Sequence, residues 1–323
     1  MKRSTLMLRG LVVAAAVSMV AFLGACSSPD EDSSSSSTAF TPVTIDHEFG
    51  STTIDTQPQR VVTLLTDWSD TLAALDIPIT AQFVEKGHET FPWTPEHQTE
   101  LVPVNDISQV GVAEIAKFDP DVILAGYLGD EARYKKLSEI APTVPVITKG
   151  SMVDSWELVT TTAGKIFGKQ EQAQQLIDST NGEIAAFKSK YPSAVGKTFT
   201  FAQVGPTGQV GVVNSTDDAS AGLLAQLGFT LDPQIAALHT GTATRALISP
   251  ERINLLNSDL LVVYVPGGDQ NVVNQVPGWS DLKAVRNGTV IYITNDNHAA
   301  FSVPSAPSVS YVIETVSPAA AKL

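Results

Sequence analysis

The feature that most restricts the fold is a long stretch with no strand-forming run. Residues 155–192, "SWELVTTTAGKIFGKQEQAQQLIDSTNGEIAAFKSKYP", place their apolar side chains at three-to-four spacing. Val159, Ala163 and Ile166 form one stripe. After Gly168, a second stripe runs through Ala173, Leu176 or Ile177, Thr180, Ile184, Phe187 and Tyr191, and Pro192 stops it. At 1.5 Å per residue the second helix is roughly 35 Å long, about the width of a domain. On either side of this stretch the pattern changes. Before it, the short apolar runs Val61 to Leu65, Ile79 to Val84, Val122 to Ala125 and Val144 to Thr148 alternate with helical segments, after a hairpin formed by "VTIDHE" and "STTID". After it, "TFTFAQV", "DLLVVYV" and "TVIYI" are strands. Helices are expected at "ASAGLLAQLG", at "SPERINLLN", at "PGWSDLKAVRNG" and at the terminal "SAPSVSYVIETVSPAAAKL". Such alternation specifies covered, mostly parallel sheets. The expected fold is therefore α/β, with two Rossmann-like lobes (41–152 and 193–323) joined by one long α-helical connector (153–192).

The N-terminus reads as an address. Lys2, Arg3 and Arg9 precede an apolar run from Leu11 to Leu23 and then small residues, the pattern of a secretory leader over residues 1–25. The run is shorter than the about 20 residues a membrane-spanning helix needs. The only cysteine of the chain, Cys26, follows directly, and "LGAC" resembles the lipobox of bacterial lipoproteins. A lone thiol in an oxidising compartment has no partner for a disulfide, and the resemblance implies that Cys26 is the acylated residue. Residues 26–40, rich in Ser and acid, make a flexible tether. The chain has 20 Lys and Arg against 34 Asp and Glu; losing the leader's Lys2, Arg3 and Arg9 takes the net charge from −14 to −17. That surface excludes nucleic acid as a partner.

In open α/β sheets ligands bind beyond the carboxyl ends of the strands. Those ends carry Thr66-Asp67-Trp68, Gly126-Tyr127, Gly205 and "NDNHAAF", with "GHETFPWTPEH" after the second strand and Arg245 just before "SPER". They supply aromatic, amide and small groups, with no convergent nucleophile, base and orienting acid. G-x-S-x-G, H-E-x-x-H and G-x-x-x-x-G-K-[ST] are all missing from the sequence. A binding protein is expected, not an enzyme; an anchored hydrolase is the alternative from another class.

"RVVTLLTDWSDTLAALDI", "VAEIAKFDPDVILAG", the mid-chain helix, "ISPERINLLNSDLLVV" and "PGWSDLKAVRNGTVIYI", in that order across residues 58–323, resemble the substrate-binding lipoproteins of ABC importers for ferric siderophores and cobalamin. The resemblance implies the helical-backbone (class III) periplasmic-binding fold with its ligand between the lobes. It also implies iron import, extracytoplasmic lipid attachment to the cell membrane (on its periplasmic side or outer face), and action as a monomer with an ABC permease. Ligand contacts carried over by position are Trp68, Trp93, Tyr127, Arg245, Asn297, His298 and Phe301. Aromatic faces would pack on the chelate's organic shell and an Arg fork would hold its oxygens. Glu131 and Glu251 match the carboxylates that dock on the permease. No cofactor is implied, because the chelator already holds the iron. A neutral or cationic hydroxamate is favoured over an anionic catecholate. Cobalamin, haem and a free metal ion are the alternatives, the last through His88 or His97 with His239 or His298.

Overall fold

The computed structural model describes residues 40–205 and 208–323; the leader, Cys26 and the tether lie outside the described residues. An N-terminal hairpin, β1 (Val43–His47) and β2 (Gly50–Ile54), pairs antiparallel as its alternation requires. His47 belongs to this hairpin, where its ring Nε2 lies 3.0 Å from Thr52 Oγ1.

Five short strands follow: β3 (Val61–Thr63), β4 (Ala81–Glu85), β5 (Glu100–Val104), β6 (Val122–Gly126) and β7 (Thr143–Pro145). They form a wholly parallel sheet in the order β5-β4-β3-β6-β7. β3 and β6 are buried along their whole length, which is why they read as continuous apolar runs. One face of this sheet packs on the helix Thr66–Ala74 through Trp68 and Leu72, and on the hairpin. The other face holds a second cluster around Phe83, Ile115 and Leu137.

The C-terminal half builds a second sheet from β8 (Thr198–Val204), β9 (Val210–Val213), β10 (Thr230–Leu231), β11 (Arg245–Ile248), β12 (Leu260–Tyr264) and β13 (Val290–Ile293). The order is β11-β9-β8-β12-β13, with β10 beside the start of β8. The β8, β12 and β13 pairings are parallel, whereas β9 runs antiparallel to both β8 and β11. "SPERINLLN" forms a 3₁₀ segment, Pro250–Leu256, rather than an α-helix, and "PGWSDLKAVRNG" divides into a 3₁₀ turn at Trp279–Asp281 and a short α-helix at Lys283–Asn287. Trp156 and Trp279 pack in the core.

The connector is two helices. Ser155 caps the first, Trp156–Phe167, by accepting from the Leu158 N–H, and Gly168 ends it in the left-handed conformation. Lys169 starts the turn into the second, Gln170–Lys190, whose 21 residues run about 32 Å. The two helices close tightly because Gly164 has no side chain: a Cβ there would sit 2.6 Å from that of Ala173. The second helix belongs to both halves of the protein. Ala173 lies in the core under the first sheet, while Ile177, Ile184 and Phe187 lie in the core of the second. Among the described residues no helix is long and apolar enough to cross a membrane.

A second link joins the halves. Asp70, buried on the helix after β3, accepts from Trp93 Nε1 at 2.9 Å, Thr94 Oγ1 at 2.8 Å and Ser305 Oγ at 2.9 Å. Ser305 caps the C-terminal helix Ala306–Ala320 through a capping box with Ser308. One carboxylate thereby ties the first sheet's helix to the N-terminus of the helix that covers the second sheet.

Candidate ligand-binding site

The second sheet carries a concave site on the face of β8, β9 and β11. The pairing register lines up Tyr264, Gln203, Gly211 and Leu247 across four strands, with Val213 and Arg245 paired beside them. Since i and i+2 share a face, Phe201 joins Gln203, Gly211 joins Val213, and Arg245 joins Leu247. A cavity of about 430 Å³ lies against this row, lined by Phe201, Gln203, Arg245, Leu247, Tyr264 and Ser302 among others. Its size falls within the few hundred to one thousand Å³ of small-molecule sites. Gly211 keeps the floor low. Leu247 is 83% exposed although apolar, on an edge strand, and it forms part of the cavity wall.

Arg245 and Tyr264 stand on either side of this floor. The Arg245 Nε donates to Asp218 Oδ2 at 2.8 Å, which fixes the guanidinium against the sheet while leaving it partly exposed. The Tyr264 hydroxyl donates to Asn295 Oδ1 at 3.0 Å. Burial, with a contribution from the Glu85 carboxylate, raises the pKa of this phenol, so it remains a neutral hydrogen-bonding group at physiological pH.

Beside the cavity an aromatic chain crosses between the halves. His298 stacks on Tyr264 with centroids 5.0 Å apart, and the His88 ring stands edge-on to His298 at 6.5 Å. His88 stacks on Phe91, Phe91 on Trp93 at 4.7 Å, and Trp93 leans on Tyr311 at 4.9 Å. His97 and His239 are held elsewhere, against Pro95 and Ala243 carbonyls respectively. Among the described residues no group of three or more His, Cys, Asp or Glu side chains is arranged to hold a metal ion.

Three residues expected to touch ligand have other work. Trp68 is 0% exposed, a core side chain under the first sheet, so it presents no face to a cleft. Phe301, at 1% exposure, fills the core of the second half, because the turn His298–Ser302 rolls it inward. Trp93 is buried between Phe91 and Tyr311 with its N–H on Asp70; it ties the two halves together. Asn297 shapes the loop: its Oδ1 accepts from the Thr294 N–H at 2.9 Å and its Nδ2 donates to Tyr311. His298 packs on Tyr264 at the cavity's edge, and Tyr127 stands 48% exposed at the carboxyl end of β6. That end is a switch point of the first sheet, where the strand order reverses between β3 and β6.

The same switch point gathers buried acid. Asp67 accepts from the Trp68 N–H at 2.7 Å and Asp154 accepts from the Ile147 and Thr148 N–H groups. Burial, reinforced by the neighbouring Asp154 and Asp70 carboxylates, pushes the Asp67 pKa up to about 8. Burial raises Asp70 and Asp154 as well. Glu131 opens the helix Glu131–Ser138, exposed and paired with Lys135 at 2.9 Å. Glu251, also exposed, sits in the first turn of the 3₁₀ segment, where its own backbone N–H and the Ser249 side chain hold its carboxyl below the usual range. Tyr264 at the cavity and Asp218 behind Arg245 have no local signal in the sequence: each is a single residue in a short apolar or polar run, with partners distant in sequence.

Two sheets sharing one helical spine, with a polar-aromatic cavity on the second, have the architecture of a substrate-binding protein. The periplasmic binding protein model matches residues 61–297, and the chain belongs to that family. It is 28% identical to the ferric-anguibactin-binding protein FatB of Vibrio anguillarum, over 84% of this chain and 85% of that one. It is 25% identical to the probable siderophore-binding lipoprotein YfiY of Bacillus subtilis, over 83% and 85%. Among solved structures it resembles the iron-uptake protein PiaA of Streptococcus pneumoniae in complex with ferrichrome, at TM-score 0.73 and 25% identity, covering 87% of this chain and 99% of that one. It also resembles a periplasmic solute-binding protein of Mycobacterium smegmatis, at TM-score 0.71 and 27% identity, covering 87% and 98%.

Proposed function

We propose that the protein captures a ferric siderophore outside the cytoplasm and delivers it to an ABC permease. The observation that carries this reading is the 430 Å³ cavity on β8, β9 and β11. It offers an apolar floor, two aromatic rings, amides and one oriented guanidinium, and that set suits the organic shell of a chelate whose iron needs no protein ligand. The named specificities of FatB and PiaA support the same class. Arg245 holds chelator oxygens, Phe201, Tyr264 and Leu247 pack on the shell, and Tyr127 meets it from the first half. The iron is cargo. Glu131 and Glu251 engage basic residues of the permease, one from each half, and lipid on Cys26 keeps the monomeric receptor at the membrane.

The test is a titration of the purified body from residue 41 onward, by calorimetry, against ferric hydroxamates, ferric catecholates, ferric citrate, cobalamin, haem, and bare zinc or manganese. Saturable binding of a ferric chelate, weakened by Arg245→Ala, is expected. Binding of cobalamin, haem or bare metal without any ferric chelate replaces this ligand class with the one that binds.

A further inference from the structure

We propose that Asp218 sets the charge preference of the cavity, making it selective for chelates without net negative charge; the inference rests on the ferric-chelate reading above. Asp218 is 0% exposed and caps the helix Ala219–Gln226. Its carboxylate is saturated with donors. Oδ1 accepts from the Ser220 N–H at 3.2 Å, from the Ser220 hydroxyl and from Arg245 Nη2 at 3.5 Å. Oδ2 accepts from Arg245 Nε at 2.8 Å and from the Thr244 hydroxyl at 3.2 Å.

Two consequences follow from this geometry. The first is orientation. The guanidinium is gripped along its Nε edge by a carboxylate that has nowhere to move, so the rest of the fork is presented to the cavity in one pose. The second is charge. Among the described residues lining the cavity, Arg245 is the only Lys, Arg, Asp or Glu side chain. Its positive charge is matched 2.8 Å away by the buried Asp218 carboxylate. The wall therefore offers hydrogen bonds with almost no net positive potential, inside a chain whose overall charge is −14. A trianionic chelate gives up its hydration there without a countercharge, while a neutral chelate uses the same donors, aromatic rings and Leu247 at little electrostatic cost.

The variant Asp218→Asn separates these roles. Asn caps a helix about as well as Asp, and its carbonyl can still accept from the Ser220 N–H, so the helix is retained while the buried charge is removed. The affinities of the purified protein and the variant for a neutral ferric trihydroxamate and a trianionic ferric tris-catecholate are measured at low and high salt. In the wild type the neutral chelate binds more tightly. In Asp218→Asn the ratio of the two affinities shifts towards the anion by about tenfold or more. The shift shrinks with salt, and adding Arg245→Gln to the variant removes it. A role confined to holding the fold would weaken both chelates alike and leave the ratio unmoved, and that result overturns the proposal, as does a wild type that prefers the trianion. If the wild type binds neither chelate, this inference fails, and the siderophore reading fails with it only when the wider ferric-chelate panel above binds nothing either; if it binds them and the ratio does not move, only the inference fails.

Discussion

Asp67 gives the fold a dependence on pH that can be worked through in sign and size. Its carboxyl is buried beside two other buried acids, and its pKa rises from 3.8 to about 8. Below about pH 3.8 it is protonated in both the folded and the unfolded chain and costs nothing. Between there and about pH 8 the unfolded chain ionises while the folded one keeps its proton, so the folded state loses relative stability by about 1.4 kcal/mol per pH unit. Above about pH 8 both states are ionised and the penalty stays constant. At pH 7 about three units of that window have been crossed, a penalty on the order of 4 kcal/mol. Asp67→Asn keeps the shape, and its carbonyl still accepts from the Trp68 N–H, but it cannot ionise. The variant is therefore expected to be more stable than the wild type by about 4 kcal/mol at pH 7, or about 8 °C in Tm for a body of this size, and equal to it near pH 4. Thermal melts followed by circular dichroism at pH 4, 5.5, 7 and 8 measure the difference. Asp70 and Asp154 are shifted in the same direction and are present in both proteins; over the window in which Asp67 keeps its proton, its replacement by Asn takes no charge from beside them, so their contributions largely cancel. A Tm difference that is the same at every pH, or an Asn variant less stable than wild type at pH 7, refutes the argument.

Two further outcomes follow from named contacts. Asp70→Ala strands the Trp93 indole N–H and the Thr94 and Ser305 hydroxyls in a buried site, at about 1–3 kcal/mol for each group left unpaired; a net loss of roughly 3 kcal/mol is expected in guanidinium unfolding, with Asp70→Asn losing less than half of that. The pair Glu131→Ala and Glu251→Ala, in surface positions outside the cavity, is expected to abolish most chelate uptake by cells carrying the importer while leaving chelate affinity in calorimetry within experimental error, and uptake at wild-type rate would remove these residues from the docking surface.

The parts of the fold legible in the sequence are those where one local pattern decides the outcome. β8 spans residues 198–204, as the run "TFTFAQV" marks it, and the break in the connector falls at Gly168, where the apolar stripe changes register. The strands that escaped notice are at edges or are short. β5 is partly exposed and holds Pro103, which an edge strand tolerates because its outer N–H groups need no partner. β9 is four residues with a glycine, and β11 is mostly exposed, so neither makes a conspicuous apolar run. Trp68, carried over by position as a ligand contact, is a core side chain. Its neighbours Asp67 and Ser69 are polar, yet both are themselves buried. Polarity marks solvent only when the group has no internal partner, and here Asp67 accepts from the Trp68 N–H and Ser69 donates to the Leu65 and Thr66 carbonyls. Arg245 was legible as a position before "SPER"; that its fork is clamped by Asp218, 27 residues earlier, depends on the β9–β11 pairing and leaves no local trace.

The helix Gln170–Lys190 is rooted in both cores, and the Asp70–Ser305 hydrogen bond fastens the halves a second time. A frame clamped at two points resists swinging shut like a jaw. Under the function proposed above, a permease would tell a laden receptor from an empty one by what protrudes at the mouth of the cavity rather than by the outline of the carrier. Leu247, exposed on the edge strand at that mouth, would then report cargo as well as hold it.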